Sequence, residues 1–208
     1  MKDSGIVKTR EIWTNIYKNL FHKTVDFSTL SFPEIYNPDK HLAVLVPRGL
    51  SLKEVIMVLR QRGAAGTKEN HFSIDLFIDD LQPGIKLYSG GVNSILLDND
   101  RNPGKDYFVI FEKSIEADAE WKGISASELK KENIKCITFL ERLLLEILSL
   151  ETDNRHLDNV NITLCAGSYL RNGHVISVAW HGVTNSISVH WVPADHFAND
   201  LRARVLVA

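Results

Sequence analysis

Cysteine is nearly absent from this 208-residue chain: Cys136 and Cys165 are the only two, and they form no C-x-x-C pair. That excludes a disulfide framework and predicts two free thiols in a reducing compartment. An excess of one charge is absent too. The formal net charge is −2 and no basic stripe is visible, so a surface built to hold nucleic acid by its phosphates is not favoured. Long hydrophobic runs are missing. The longest, FLERLLLEILSL at 139–150, is interrupted by Glu141, Arg142 and Glu146 and is too short to span a bilayer. The opening residues, MKDSGIVKTREIW, hold no apolar segment of signal-peptide length. These absences predict a soluble, cytoplasmic protein with no membrane segment. Internal repeats and low-complexity tracts are also lacking.

What is present is enough apolar material, 44% of residues, for one substantial core. Ile12, Trp13, Ile16, Tyr17, Leu20 and Phe21 fall in two rows of i, i+4 spacing. They predict an amphipathic helix over 9–23, with Thr9 as its N-cap. The following VDFSTLSFPEIYNPDK has no period and reads as a loop. Residues 1–40 are thus expected to form a helix and connector, and 41–208 a single domain. HLAVLVP predicts a strand ended by Pro47. Ser51 and Glu54 form a capping box and Gly63 fits the position just past a helix end, so a helix is expected over 52–62.

HFSIDLFIDD alternates like a half-buried strand. IKLYS, SILLD and DYFVIFEK predict three more, joined by short turns and therefore antiparallel neighbours. Ile137, Leu140, Leu144, Ile147 and Leu148 predict one long buried helix from about 127 to 151, with Cys136 inside it. VNITLCAGSYL, HVISVAW, SISVHWV and LRARVLVA predict a closing antiparallel meander. The expected class is α+β with mostly antiparallel sheets.

Residues His174 to His196 hold the densest chemistry. Ile176, Val178 and Trp180 share one strand face, as do Ile187, Val189 and Trp191. A four-residue loop, Gly182 to Asn185, would pair Trp180 with Ile187 and leave His181 and His190 roughly 13 Å apart. A two-residue loop, Thr184-Asn185, would bring them to roughly 7–8 Å, but it needs positive φ at the β-branched Thr184. The four-residue closure is therefore expected. Asp195 and His196 follow Pro193 and could join His190 or His174 as a metal site or an acid/base pair. Otherwise these residues are a solvated strand face.

Other patterns are weaker. Asp98, Asp100 and Asn102, with Asp106, resemble the oxygen ligands of a calcium loop. However, Gly104 is one position late and the twelfth position is Val109, so a polar turn is the plainer reading. YSGGVNS lacks the helix and the Lys-Ser/Thr of a phosphate loop. RQRGAAGTK gathers Arg60, Arg62 and Lys68 at a helix C-terminus, where anions are repelled. IDLFIDD offers Asp75, Asp79 and Asp80 with no third ligand positioned. Cys165 is expected on the wetter face of its strand, within reach of a histidine, as a nucleophile would need.

The leading expectation is a non-enzymatic binding or protein-interaction domain. Its N-terminal helix would pack on the body or mediate contact with a protein partner or a second copy. No cofactor is expected. The alternative is a hydrolase using His181, His190, Asp195 and His196, with or without a metal or Cys165.

Overall fold

The computed structural model describes residues 2–64, 73–76, 96–99, 101, 104–170 and 173–207. Helix α1 spans Lys2–Leu20, followed after a loop by strand β1, His41–Val46, and helix α2, Leu52–Ala64. Strands β2 (Ser73–Leu76), β3 (Leu96–Asn99) and β4 (Tyr107–Glu112) come next. A 3-10 turn at Ala119–Trp121 leads to helices α3, Ala126–Lys131, and α4, Phe139–Asp153. Strands β5 (Ile162–Leu170), β6 (His174–His181), β7 (Ser186–Pro193) and β8 (Leu201–Ala203) close the chain. The fold is α+β, as its hydrophobic patterning predicts.

α1 starts well before the expected position. Thr9 is no cap: its hydroxyl donates to the Gly5 carbonyl one turn back, at 3.0 Å. The predicted aromatic face is buried against β1 in a specific way. β1 pairs with β4 in an antiparallel ribbon, and Lys113 N donates to Lys40 O at 2.8 Å. Even-numbered residues of β1 thus face β4, and Ala43 and Leu45 present their carbonyls to the open edge. The Trp13 indole N–H donates to Ala43 O at 2.7 Å and the Tyr17 hydroxyl to Leu45 O at 2.8 Å. Four helical residues rise about 6 Å and two strand residues about 6.7 Å, so i, i+4 donors match i, i+2 acceptors. The two aromatic side chains close an edge that would otherwise be open to pairing.

The capping box at α2 forms as expected, with Ser51 N donating to Glu54 Oε2 at 2.9 Å and Glu54 N to Ser51 Oγ at 3.3 Å. Gly63 lies inside the helix, buried, and not beyond its end. The expected single helix over 127–151 is two. Ser125–Glu128 and Thr138–Glu141 are each complete capping boxes, and Asn133 turns the chain at φ 56°. Cys136 therefore sits in an extended connector bridging Val205, not in a helix. The C-terminal tail holds this connector: Ile137 N donates to Arg204 O at 2.9 Å, and Leu206 N to Lys135 O at 2.9 Å. β5 approaches so closely that a Cβ on Gly167 would stand 2.5 Å from the Cys136 carbonyl oxygen.

The larger sheet has the order β2-β7-β6-β5-β3, with β8 also on β5. Here the expected neighbours are corrected. β4 leaves the series to pair with β1, β3 pairs antiparallel with β5, and β2 runs parallel to β7. β8 runs parallel to β5, so the last strand does not continue the meander. The IKLYS strand lies outside the described residues. One apolar cluster joins α1, β1, α2, β4 and α4 to Cys165 and the Ile176, Val178, Ile187 and Val189 face of the large sheet. A second, smaller one, with Leu129, Leu164, Val175 and Ala203, covers part of the opposite face. The N-terminal helix thus shares its core with residues beyond 41.

Candidate functional site

Among the described residues, a groove lies between α1, β1 and the C-terminal end of α4. It consists of two adjoining cavities of about 470 Å³ and about 260 Å³, which share Leu42, Lys113, Leu148, Thr152 and Asp153. Gly5, Lys8, Thr9 and Ile12 of α1 form one wall of the larger cavity, and Tyr36, Pro38, Asp39 and His41 form its lip. The amphipathic pattern of α1 explains this wall. Trp13, Ile16 and Tyr17 turn to the core, which leaves the 5-8-9-12 row facing α4. Gly5 is tight against the lip, since a Cβ there would stand 2.3 Å from Pro38 Cγ. The smaller cavity runs on over Leu145, Ser149, Arg155 and Leu157. Its floor is aliphatic and its rim is charged. Among the described residues, Lys8 and Lys113 form no ion pair with Asp39 or Asp153. Volume, apolar floor and a few polar rim groups match the usual make-up of ligand pockets, roughly 300–1,000 Å³.

Beneath the groove lies a buried ionic network that the helical pattern concealed. Glu141, Arg142 and Glu146 interrupt the apolar run of α4 in sequence, yet all three are fully buried, with Asp158 and Arg204. Asp158 is the hub. Its Oδ2 accepts Arg142 Nε at 2.8 Å and the Thr163 hydroxyl, and its Oδ1 accepts Ala117 N at 3.0 Å and Arg204 Nη2 at 3.3 Å. Arg142 Nη1 reaches Glu146 Oε2 at 2.7 Å, and Arg101 Nε reaches Glu141 Oε1 at 2.7 Å. Burial alone would discharge Arg142, but Asp158 and Glu146 outweigh it and hold the guanidinium protonated beyond its ordinary range. Three carboxylates face three guanidiniums, so the charges cancel within the interior. At its margin, His156 Nδ1 lies 2.7 Å from Glu146 Oε1, and its ring stacks on Trp180 at 3.4 Å and 3°. The network balances its charges but not all its hydrogen bonds: Arg142 Nη2 and Arg204 Nε are buried with no partner among the described residues. Its weak sequence signal was the set of charges on an otherwise buried helical face.

The residues singled out from the sequence do not converge. The β6–β7 register pairs Trp180 with Ile187 and Ser177 with His190, the four-residue closure, with Asn185 at φ 48°. His181 is therefore separated from His190 along the hairpin. The His181 ring instead bonds Thr184 Oγ1 at 3.0 Å. His190, Asp195 and His196 are exposed. Partial desolvation makes the His190 ring harder to protonate than usual. Trp191 meets His174 edge-on at 4.2 Å.

Cys165 requires a correction. It is fully buried in the main core, because the face shared with Thr163 is covered by α4 and not wetted. Burial pushes its thiol far above the ordinary range, against the partial relief of Arg142, which removes the thiolate a nucleophile needs.

In the calcium-like stretch, Asp106 Oδ1 accepts Arg48 N at 2.7 Å and Val109 is buried in β4. Asp98 pairs with Tyr169 on β5, while Asp100 and Asn102 lie outside the described residues. The YSGGVNS glycines, Lys68, Asp79 and Asp80 lie outside them as well. Arg62 is engaged by Glu151 at 3.0 Å. Among the described residues no three His, Cys, Asp or Glu side chains gather as a metal ion would need, and no helix is long and apolar enough to cross a membrane. No family model, curated protein or solved structure matches this chain.

Proposed function

We propose that this protein is a cytoplasmic, non-catalytic binding protein whose ligand or partner segment sits in the groove between α1 and α4. One observation supports the reading: the two adjoining cavities combine a largely apolar floor with rim charges, Lys8, Lys113, Asp39 and Asp153, that form no ion pair among the described residues. α1 then contributes to binding as a wall, since its aromatic face is spent on β1. His190, Asp195 and His196 are exposed and do not gather with a third ligand among the described residues, which supports binding over metal-dependent hydrolysis.

The test uses 8-anilinonaphthalene-1-sulfonate, an amphipathic probe that brightens in apolar sites. Thr152 lines both cavities and its side chain is exposed, so Thr152→Trp should fill their junction without disturbing the core. The native protein is expected to bind the probe, and Thr152→Trp to weaken binding by about tenfold, about 1.4 kcal/mol, with unchanged circular dichroism. Equal binding by both proteins would refute the groove as the site.

A further inference from the structure

His41 stands where the floor of the groove meets its lip. It opens β1, is 8% exposed and lines the larger cavity. Its Nδ1 accepts the backbone N–H of Asn37 at 3.1 Å. The Asn37 carbonyl in turn accepts the amides of Lys40 at 3.0 Å and His41 at 2.8 Å. These bonds close the turn that carries Pro38 and Asp39, both part of the lip. A main-chain N–H can only donate, so the ring nitrogen facing it must be unprotonated.

We propose that His41 is a proton-sensitive latch: its protonation opens the 37–41 turn and with it the lip of the groove. A proton on Nδ1 would set one N–H donor against another, so the charged ring and the closed turn exclude each other. One neighbouring charge favours the charged ring. Glu112, its register partner on β4, places Oε1 3.6 Å from Nε2. That carboxylate is 61% exposed, so its attraction is screened while the turn is closed. The Tyr36 ring lies 6.3 Å away and offers no charge. The rim carries two unpaired charges of each sign, Lys8 and Lys113 against Asp39 and Asp153. The closed turn thus already holds Asn37 N on Nδ1 and Glu112 Oε1 near Nε2; a proton on Nδ1 keeps the Glu112 contact and removes the Asn37 bond, so protonation acts on the turn itself. The latch rests on hydrogen-bond geometry alone; its consequence for a ligand rests on the groove being the binding site.

The test follows the Asn37 amide by NMR hydrogen exchange on the full chain, together with anilinonaphthalene sulfonate affinity. The expected result is a protection factor for Asn37 that falls about tenfold on acidification from neutral pH, with probe affinity changing in parallel. His41→Asn keeps a side-chain acceptor that does not titrate, and should flatten both responses. An unchanged Asn37 protection factor, or the same fall in His41→Asn, would overturn the latch. If that variant does not fold, the imidazole nitrogen shifts of the wild type decide. Nδ1 titrating together with the Asn37 amide supports the latch, and Nδ1 titrating while the amide is unmoved overturns it. An amide that responds while probe affinity does not would uphold the latch and remove the binding reading of the groove.

Discussion

Replacing Asp158 probes the interior most severely. Its two oxygens take a hydrogen bond from each of Arg142, Arg204, Thr163 and the Ala117 amide, and the side chains of Asp158, Arg142, Arg204 and Thr163 are fully buried. Asp158→Asn keeps the shape and an acceptor, but it leaves two guanidiniums to share what remains of the network. Arg142 retains Glu146; Arg204 retains hydrogen bonds to the Ser114 and Ile115 carbonyls and the more distant charge of Asp118. Removing one partner of a buried pair costs about 3–5 kcal/mol. Asp158→Ala should cost roughly a further 1–2 kcal/mol, because residue 158 stands at φ 54°, a conformation that asparagine tolerates better than alanine. With a urea m-value of about 2–3 kcal/mol/M, the Asn variant should lower the urea midpoint by about 1–2 M, and the Ala variant by more or to the point of not folding. A shift below about 0.4 M for both would mean that the network does not hold the fold together.

Tyr17→Phe leaves the edge carbonyl of Leu45 without its donor and should cost about 1–3 kcal/mol in chemical denaturation. A neutral result would show that the helix closes the edge by packing alone. Asp118 gives a pH-dependent case. Burial raises its carboxyl above the usual range, aided by Glu120 and Glu112, against the Val205 amide at 2.7 Å and Arg204. The folded state then holds the proton more tightly than the unfolded state, so ionising Asp118 destabilises the fold as pH rises from about 4 through the raised value. Asp118→Asn should gain stability relative to wild type over that interval, read as melting temperature against pH. A constant difference at all pH values would contradict the assignment.

Local chemistry was legible where it is local. Ser51–Glu54 announces α2, and Gly182 with Asn185 announces the four-residue closure that keeps His181 from His190. The same Ser/Thr-x-x-Glu signature at Ser125 and Thr138 was masked by apolar positions that continue at helical spacing across Asn133. Pairings between distant segments left no such trace. β1 finds β4 and β8 finds β5 through tertiary packing, which is why the expected order of antiparallel neighbours fails. The buried charges were hidden for a related reason. An arginine inside a helix reads as a wet face until its partners, Asp158 and Glu146, are folded around it. Cys165 was misplaced because strand alternation separates two faces without saying that both are covered. The groove could not be read at all, since α1, β1 and α4 contribute to it separately and none is unusual alone.

The central claim, that ligands enter between α1 and α4, is tested most directly by mapping anilinonaphthalene sulfonate onto the backbone by NMR. The account predicts amide shift changes concentrated at Lys8 to Ile12, Leu42 and Ala43, and Thr152 and Asp153. Changes confined to the hairpin around His181 and His190, with the groove silent, would contradict it.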